Sequence, residues 1–421
     1  MIARLARGVA ALVVSVALAE LLVRAVVRTD ADGGASLFGR PLPPRPLPVE
    51  TTRRNLDAFL ASPRTFLAWD AGTGWAPRPG ATSADGLYRA NSSGLRADRE
   101  TPEDPAPGVL RVATFGDSFT FGDESPLDET WGARLEAGLV ARGVPAEVLN
   151  FGVNGYGLDQ AWLRWQDRGR RFRPDVVVLG LQSENALRDL NVFRPLFFAH
   201  TETPLTKPRF VASGEDLRVV NRPTLAPERI VDALATVREG PFAEVEAFLV
   251  AYPRPWWRHS RLASLVAAVV LPEPMPDLAS VGSGREAVDL ASRIVRGFAA
   301  DAHAAGAGFV VADLPMRPVL EMRLVAGDAW DDEIVAAART VAPVVGLGPA
   351  VSPLSDGDFR PRFHWGARLQ AAMAAALVEP VLAAACSESS RRDALPACAG
   401  LSRTASPGSR SRPAAAPPSP P

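Results

Sequence analysis

The stretch "VATFGDSFTFG", residues 112–122, joins a short apolar run to a polar turn punctuated by glycines. The run "LRVATF" at 110–115 is rich in residues that favour strands and ends at a glycine, so it predicts a buried β-strand. Ser118 then follows the carboxyl end of that strand. It is either a nucleophile or an ordinary turn serine. Asp117 before it is expected to brace the turn through side-chain-to-backbone hydrogen bonds.

Strand and helix patterns alternate along most of the chain after this point. Continuous Val- and Leu-rich runs indicate strands at 146–153, 174–181, 308–315 and 344–348. Apolar residues at helical spacing indicate helices at 129–143, 158–172, 285–306, about 330–340 and 366–385. Uninterrupted apolar strands separated by helices are typical of a parallel sheet covered by helices on both faces. Such a sheet binds ligands at the carboxyl ends of its strands.

Three of the strand ends carry residues that can act together on a substrate. Ser118 follows the first, "NFGVNGYG" at 150–157 follows the second, and "GLQSENALRDLN" at 180–191 follows the third. His364 precedes the last predicted helix. A serine hydroxyl needs a base, an imidazole titrates near neutral pH, and a tetrahedral oxyanion needs N–H donors that are already in place. We therefore expect these elements to converge at one edge of the sheet.

Four segments, in this order, resemble the sequence blocks of the SGNH/GDSL hydrolase superfamily. They are "FGDSFTFG", "NFGVNGYGLDQ", "VVLGLQSENALRDLN" and "FHWGARLQAAMAAAL". Upstream, "LAWDAGTGWAPRPGA" and "YRANSSGLRADRE" resemble the N-terminal extension of membrane-anchored bacterial members. The resemblance covers most of residues 66–385. It implies a flavodoxin-like α/β fold, a three-layer α/β/α sandwich with a mainly parallel sheet.

The resemblance also implies a role for each matching residue. Ser118 stands in the place of the nucleophile and His364 in the place of the base. The oxyanion hole would consist of the backbone N–H groups of Ser118 and Gly155 and the side chain of Asn185. The implied substrate is an ester on a glycan or a lipid of the cell envelope, with water or a glycan hydroxyl as the acyl acceptor. No cofactor and no metal is implied.

Two positions depart from the family pattern. The aspartate that usually lies two or three residues before the histidine is replaced by Arg362 and Pro361. Asp358 lies further upstream and is a possible orienting acid if the loop bends. A one-residue shift in the third block would put Glu184, a poor oxyanion donor, in the place of the asparagine. These departures leave a second hypothesis open, a catalytically weakened domain that binds envelope glycan or a partner protein.

Charge and histidine content argue against other function classes. The formal net charge is −1 over 421 residues, so no excess of basic charge indicates nucleic-acid binding. The four histidines, at 200, 259, 303 and 364, show no metal-ligand spacing. We therefore expect neither a nucleic-acid partner nor a metal.

The N-terminus carries an apolar segment, "GVAALVVSVALAELLVRAVV" at 8–27, that follows two arginines. Its length fits one membrane crossing of about 20 residues, and Glu20 and Arg24 within it are spaced to pair on one helix face. A cleaved signal peptide is the alternative, with "ALA" at 17–19 as the cleavage site. Either alternative places the rest of the chain outside the cytoplasm. We favour the anchor, which predicts a single-pass membrane protein with a periplasmic or extracellular catalytic domain.

These features divide the chain into an anchor or signal peptide (1–28), a Pro-rich linker (29–51), a hydrolase-like domain (52–385) and a low-complexity tail (386–421). An insertion at about 191–284 fits the strand–helix alternation poorly and is a candidate lid or substrate-binding region. Its Trp256 and Trp257 either pack in a core or lid, or stack on sugar rings. Cys386 and Cys398 either close a loop in an oxidising compartment or remain free thiols.

Overall fold

The chain folds around a parallel β-sheet with helices on both faces, in a computed structural model that describes residues 1–62, 65–270, 284–327 and 332–398. The first part forms α1 (Ile2–Val26), β1 (Arg28–Thr29), β2 (Ala35–Leu37), β3 (Arg40–Leu42), α2 (Val49–Ala61), β4 (Leu67–Asp70) and β5 (Gly74–Pro77). The next part forms β6 (Leu110–Phe115), α3 (Ser118–Phe121), α4 (Trp131–Ala141), β7 (Ala146–Asn150), α5 (Leu158–Asp167) and β8 (Val176–Leu181). The insertion contains α6 (Arg194–Phe197), β9 (Arg209–Ser213), β10 (Asp216–Val220), α7 (Pro227–Ala235) and α8 (Arg261–Val270). The remainder forms α9 (Gly284–Ala304), β11 (Gly308–Asp313), α10 (Arg317–Ala326), α11 (Glu333–Arg339), β12 (Val344–Val345) and α12 (Ala367–Ser387).

The central sheet has five parallel strands in the order β12-β11-β8-β6-β7. If the five strands are numbered 1 to 5 in chain order and read from the β7 edge, the order is 2-1-3-4-5, which is that of flavodoxin-like sheets. The predicted fold class, a three-layer α/β/α sandwich with a mainly parallel sheet, is confirmed. The strand order reverses at the β6–β8 pair, and open sheets of this kind bind ligands at the carboxyl ends of the strands beside that point.

Helices cover both faces of this sheet. Helices α4 and α12 pack on one face, and α5 and α9 pack on the other. Val112 and Val178 point toward α4 and α12, whereas their neighbours Ala113 and Leu179 point toward α5 and α9. Every residue of β6, β8 and β11 is buried. Because both faces of these strands need apolar side chains, their sequences are continuous hydrophobic runs.

Some observed elements are shorter than the predicted ones. The strand predicted at 146–153 ends at Asn150, whose side-chain oxygen accepts a hydrogen bond from Gly152 N (2.9 Å) and turns the chain. The turn brings Gly152 against the backbone of α3, where a Cβ atom would lie 2.4 Å from Phe121 N. Close packing of the two loops after β6 and β7 therefore depends on this turn.

Two segments are more structured than their composition suggested. The Pro-rich residues expected to form a linker contain the small antiparallel sheet β1-β2-β3, in which Ala35 and Leu42 are buried. Pro41 lies on the edge strand β3, where a sheet tolerates proline. The insertion forms the β9–β10 hairpin and buries Phe210 and Ile230 in the same core as α5 and α9. It is therefore packed against the sheet domain.

Within the described ranges, α1 and α12 are long and apolar enough to cross a membrane. Helix α1 has no buried residue, whereas half of the apolar window of α12 is buried in the core. Cys386, near the end of α12, is joined to Cys398 by a disulfide bond. Residues 399–421, the rest of the predicted low-complexity tail, lie outside the described residues.

Gly180 in β8 leaves space for helix α3. A Cβ atom there would lie 1.9 Å from Thr120 Oγ1 and 2.8 Å from Leu314 Cδ1. Gly180→Ala should therefore lower the free energy of unfolding by about 1–3 kcal/mol, as measured by chemical denaturation. Gly348→Ala is the matched control, because its φ is −87° and no atom lies within 4 Å of an added Cβ. Equal stability of the two variants would contradict this packing.

Candidate active site

Ser118 begins helix α3 directly after β6. Asp117 caps this helix, because its Oδ1 accepts a hydrogen bond from Phe119 N (2.9 Å), which is the turn-bracing contact expected from the sequence. Ser118 is 8% exposed, and its Oγ lies 2.9 Å from Nε2 of His364. The candidate nucleophile and the candidate base, 246 residues apart in the chain, are thus within hydrogen-bond distance.

His364 lies in the loop that leads into α12. The loop is closed by a hydrogen bond from Arg360 N to His364 O (2.7 Å). The rings of Phe119 and Phe363 pack against the imidazole with centroid distances of 5.1 and 4.9 Å. The histidine is 4% exposed. Packing against these two rings restricts the orientation of the imidazole before a substrate arrives.

The acid beside His364 is Glu124. Its Oε2 lies 2.7 Å from His364 Nδ1. With its proton on Nδ1, the imidazole donates a hydrogen bond to this carboxylate. Its Nε2 then carries no proton and can accept the hydroxyl proton of Ser118. Asp123 lies close by, with its Oδ2 4.0 Å from Nε2. Two carboxylates therefore face the imidazole, and Glu124 makes the shorter contact.

Asp358, the orienting acid expected from the sequence, binds elsewhere. Its Oδ2 accepts hydrogen bonds from Arg368 Nη2 (2.7 Å) and from the backbone and hydroxyl of Ser355 (2.7 and 2.8 Å). The hydrogen bond from Arg368 holds the pKa of Asp358 below its usual value. These contacts brace the turn before α12. The expectation that Asp358 orients His364 is therefore corrected, because the carboxylate that contacts His364 is that of Glu124.

A network from the N-terminal segment holds Glu124 in place. Glu124 has a φ of +62°, a conformation that non-glycine residues rarely adopt. Tyr88 Oη accepts a hydrogen bond from Glu124 N (2.9 Å) and donates one to Asp123. Burial and this carboxylate raise the pKa of Tyr88, so its hydroxyl keeps its proton. The guanidinium of Arg96 donates to two carbonyl oxygens of the same turn, each at 2.5 Å.

The carboxylate of Asp117 also joins the ends of three strands. Its Oδ2 accepts a hydrogen bond from Asn185 Nδ2 (2.6 Å), beyond β8, and lies 3.4 Å from Arg188 Nη1. The same arginine nitrogen donates to Tyr156 O (3.0 Å), next to Gly155 beyond β7. The residues expected to form the oxyanion hole are thus connected to the residue that precedes the serine.

The third block adopts the register that puts Asn185 at the site. Asn185 is 7% exposed and bound to Asp117. Glu184 instead accepts a hydrogen bond from Met316 N (3.0 Å), and burial raises its pKa. The alternative register, with Glu184 in place of the asparagine, is not the one observed.

A cation from the insertion borders Gly155. This glycine has a φ of +77°, and a Cβ atom on it would lie 2.5 Å from a guanidinium nitrogen of Arg194. Arg194 Nη1 donates to Gly155 O (3.0 Å), and its Nε donates to Thr201 Oγ1 (2.9 Å). Burial, with the like charge of Arg188 nearby, lowers the pKa of Arg194 to about 9. The side chain remains cationic at neutral pH, so the insertion contributes positive charge beside the site.

Three residues at the site were missed from the sequence: Glu124, Arg188 and Arg194. Glu124 lies six residues after Ser118, and this closeness in sequence to the nucleophile was the one feature that could have indicated it as the acid. The family pattern instead places the acid before the histidine. Arg188 lies in the third block but was given no role there, Arg194 stands in the insertion, and only tertiary contacts bring the two arginines to the loop after β7.

No family model and no curated protein matches this sequence. Among solved structures, it resembles a lipolytic protein of the G-D-S-L family from Desulfitobacterium hafniense DCB-2 (12% identity, TM-score 0.32, 64% of this chain and 98% of that chain). It also resembles the alpha/beta hydrolase LAE5 from the metagenome of Lake Arreo, Spain (14%, 0.33, 67% and 96%). A third is Axe2, an acetylxylan esterase from Geobacillus stearothermophilus (10%, 0.35, 65% and 94%). Likeness at this level carries no argument about activity, which has to rest on the site itself.

Glu124→Gln should slow covalent labelling of Ser118 by a fluorophosphonate by on the order of 10³-fold, because the imidazole loses its anionic partner. Labelling rates followed by intact-protein mass spectrometry measure the effect. Asp358→Asn is the matched control and should label at about the wild-type rate. The opposite ranking of the two variants would return the orienting role to Asp358.

Proposed function

We propose that this protein is a serine esterase or O-acyltransferase that works through an acyl-enzyme on Ser118. The observation that carries the proposal is the chain of two hydrogen bonds from Ser118 Oγ to His364 (2.9 Å) and from His364 to Glu124 (2.7 Å). A nucleophile, a base and an acid in this order are what acyl transfer requires. Their position at the ligand-binding end of a parallel sheet agrees with that role.

The first half of the reaction forms the acyl-enzyme. Ser118 Oγ attacks the ester carbonyl carbon while its proton passes to His364 Nε2. Glu124 stabilises the imidazolium that results. The tetrahedral intermediate then breaks the bond to the alcohol oxygen, which takes the proton from His364 and leaves. The serine now carries the acyl group.

The second half transfers the acyl group to an acceptor. His364 removes a proton from water or from a substrate hydroxyl, whose oxygen attacks the acyl carbon. The second tetrahedral intermediate releases Ser118 Oγ, which regains a proton from His364. Water as acceptor gives a carboxylic acid, and a glycan hydroxyl gives a new ester. The same residues serve both outcomes.

The developing oxyanion needs donors, and three are proposed: Ser118 N, Gly155 N and Asn185 Nδ2. Asp117 orients the asparagine by accepting one of its amide hydrogens (2.6 Å). The positive φ of Gly155 allows a backbone approach that a side chain would obstruct. Each such donor contributes about 10²–10³ in rate in comparable sites.

The rival hypothesis of a weakened binding domain rested on the absence of an acid just before His364. The contact between Glu124 and His364 supplies an acid by another route. No observation in the described residues now favours the rival over catalysis.

We further propose that α1 is a retained membrane anchor and that the catalytic domain is extracytoplasmic. The helix has 25 residues, none of them buried, and the arginines near its N-terminus favour a cytoplasmic start. The Cys386–Cys398 disulfide supports an oxidising compartment. An ester on an envelope glycan or lipid is then the substrate class within reach.

Ser118→Ala provides the direct test of this function. Wild-type protein should gain one fluorophosphonate adduct on Ser118 and hydrolyse a short-chain aryl ester, and Ser118→Ala should do neither because the attacking oxygen is gone. Intact-protein mass spectrometry and release of the aryl alcohol measure these outcomes. Ser93→Ala is the matched control and should behave as wild type, because this half-buried turn serine uses its backbone N–H to donate to Asn91 Oδ1. Folded wild-type protein that takes up no adduct would contradict the proposal.

A further inference from the structure

The anchor helix contacts a second apolar element, the segment 253–270, which we call the Trp segment. It comprises the loop "PRPWWRHS" and helix α8. Helix α8 packs against α1. The insertion of which this segment is part was expected to form a lid or a substrate-binding region. Its contacts point to a different role.

Glu20 makes the connection between the two elements. Its carboxylate accepts hydrogen bonds from Arg261 N and Leu262 N at the start of α8, and from Ser260 Oγ, each at 2.8 Å. It also accepts one from Arg24 Nε (2.7 Å), and the Arg24 guanidinium donates to His259 O. A carboxylate inside a membrane span must have all its hydrogen-bonding capacity filled. Here the Trp segment supplies three of the four donors.

The Trp segment also reaches along the apolar part of the anchor. A groove of about 720 Å³ is lined by Leu12, Val13, Val16 and Ala17 of α1, by Trp256 and Trp257, and by the polar residues Glu20, Arg24, His259 and Ser260. Leu12 lies about 12 Å from Glu20 along the helix axis, at 1.5 Å per residue. The two tryptophans therefore share a groove with residues of α1 that a membrane span places in hydrocarbon.

The exposed side of α8 and the side chain of Trp256 are apolar, while Arg254 and Arg258 of the loop are exposed as well. Trp256 is 90% exposed, and Val266, Val269 and Val270 of α8 are 54%, 82% and 70% exposed. This surface continues the apolar surface of α1, whose leucines and valines are also exposed. Tryptophan is enriched where a membrane meets water. The exposed apolar surfaces of α1 and of the Trp segment therefore face the same surroundings.

We infer that the Trp segment is a second membrane-contacting element, which inserts into the outer part of the bilayer beside the anchor. The occupant of its exposed face and of the groove is the lipid acyl chains. The catalytic domain is then held to the bilayer at two places, which restricts its tilt. The inference rests on the anchoring part of the proposed function and not on the esterase chemistry.

The test uses the full chain reconstituted in vesicles of phosphatidylethanolamine and phosphatidylglycerol. Single cysteines are introduced as Trp256→Cys, Val269→Cys, Val14→Cys in the anchor, and Val140→Cys on the exposed side of α4. Each is labelled with an environment-sensitive fluorophore, since the two native cysteines are joined in a disulfide. Lipids that carry a nitroxide on the acyl chain should quench the labels at 256, 269 and 14 and leave the label at 140 unquenched.

Separate outcomes distinguish the segment from the anchor. Quenching at 14 without quenching at 256 and 269 overturns the inference and leaves the anchor in place. Absence of quenching at 14 as well overturns both. Labels at 256 and 269 that report an apolar environment but are not quenched by lipid would indicate a protein cover, which also overturns the inference. Val269→Cys keeps the test decisive if Trp256→Cys fails to fold.

Glu20→Ala tests the connection between the two elements. It removes the acceptor of the three donors at the start of α8, so quenching at 256 should fall while quenching at 14 remains. Unchanged quenching at 256 would show that the Trp segment does not depend on Glu20.

Discussion

The carboxylate of Asp117 is the contact on which the arrangement of the site depends. It caps the helix that starts at Ser118, and it binds Asn185 beyond β8. Through Arg188 it is connected to the loop beyond β7. Parallel strands deliver these loops to one edge of the sheet, but strand pairing alone does not fix their positions relative to one another. One buried carboxylate that accepts hydrogen bonds from Phe119, after β6, and from Asn185 and Arg188, after β8, does so, because leaving any of those donors unpaired would cost free energy.

The base half of the site is built by a different principle, which is local backbone strain held by surrounding contacts. Glu124 and Phe363, which both contact His364, have positive φ values of +62° and +78°. Such conformations cost about 1–3 kcal/mol each and persist only where neighbouring contacts impose them. For Glu124 those contacts come from Tyr88 and, through the turn carbonyls, from Arg96. The segment before the sheet therefore takes part in positioning the acid.

The insertion contacts both the candidate site and the apolar N-terminal helix. One end of it, at Arg194, borders Gly155 at the site. Another part, around Ser260 and Arg261, satisfies Glu20 of the apolar N-terminal helix. Between them the insertion shares its hydrophobic core with the sheet domain. The insertion thus contacts both the candidate site and the helix proposed as the anchor.

Sequence patterns predicted the sheet well because each central strand is buried on both faces, and only continuous apolar runs satisfy that requirement. The run ending at Phe115 and the run ending at Leu181 were located correctly for this reason. The strands around Pro41 were missed, because edge strands tolerate residues that are otherwise breakers of a sheet. The secondary structure of the insertion was also not predicted, because it packs against residues that are distant in the chain and its sequence shows little periodicity.

For the candidate site, the sequence by itself determined the residues that follow the strand ends: Ser118, Gly155 and Asn185, with His364 before the last helix. Local order along the chain encodes these positions, because a parallel sheet always brings its carboxyl ends together. Only the tertiary structure decided which acid serves the histidine. The sequence offered Asp358 as the possible orienting acid and gave no role to Glu124, but a carboxylate binds the partner that folding places nearest. Arg368 binds Asp358, and a strained turn held by Tyr88 places Glu124 within hydrogen-bond distance of His364.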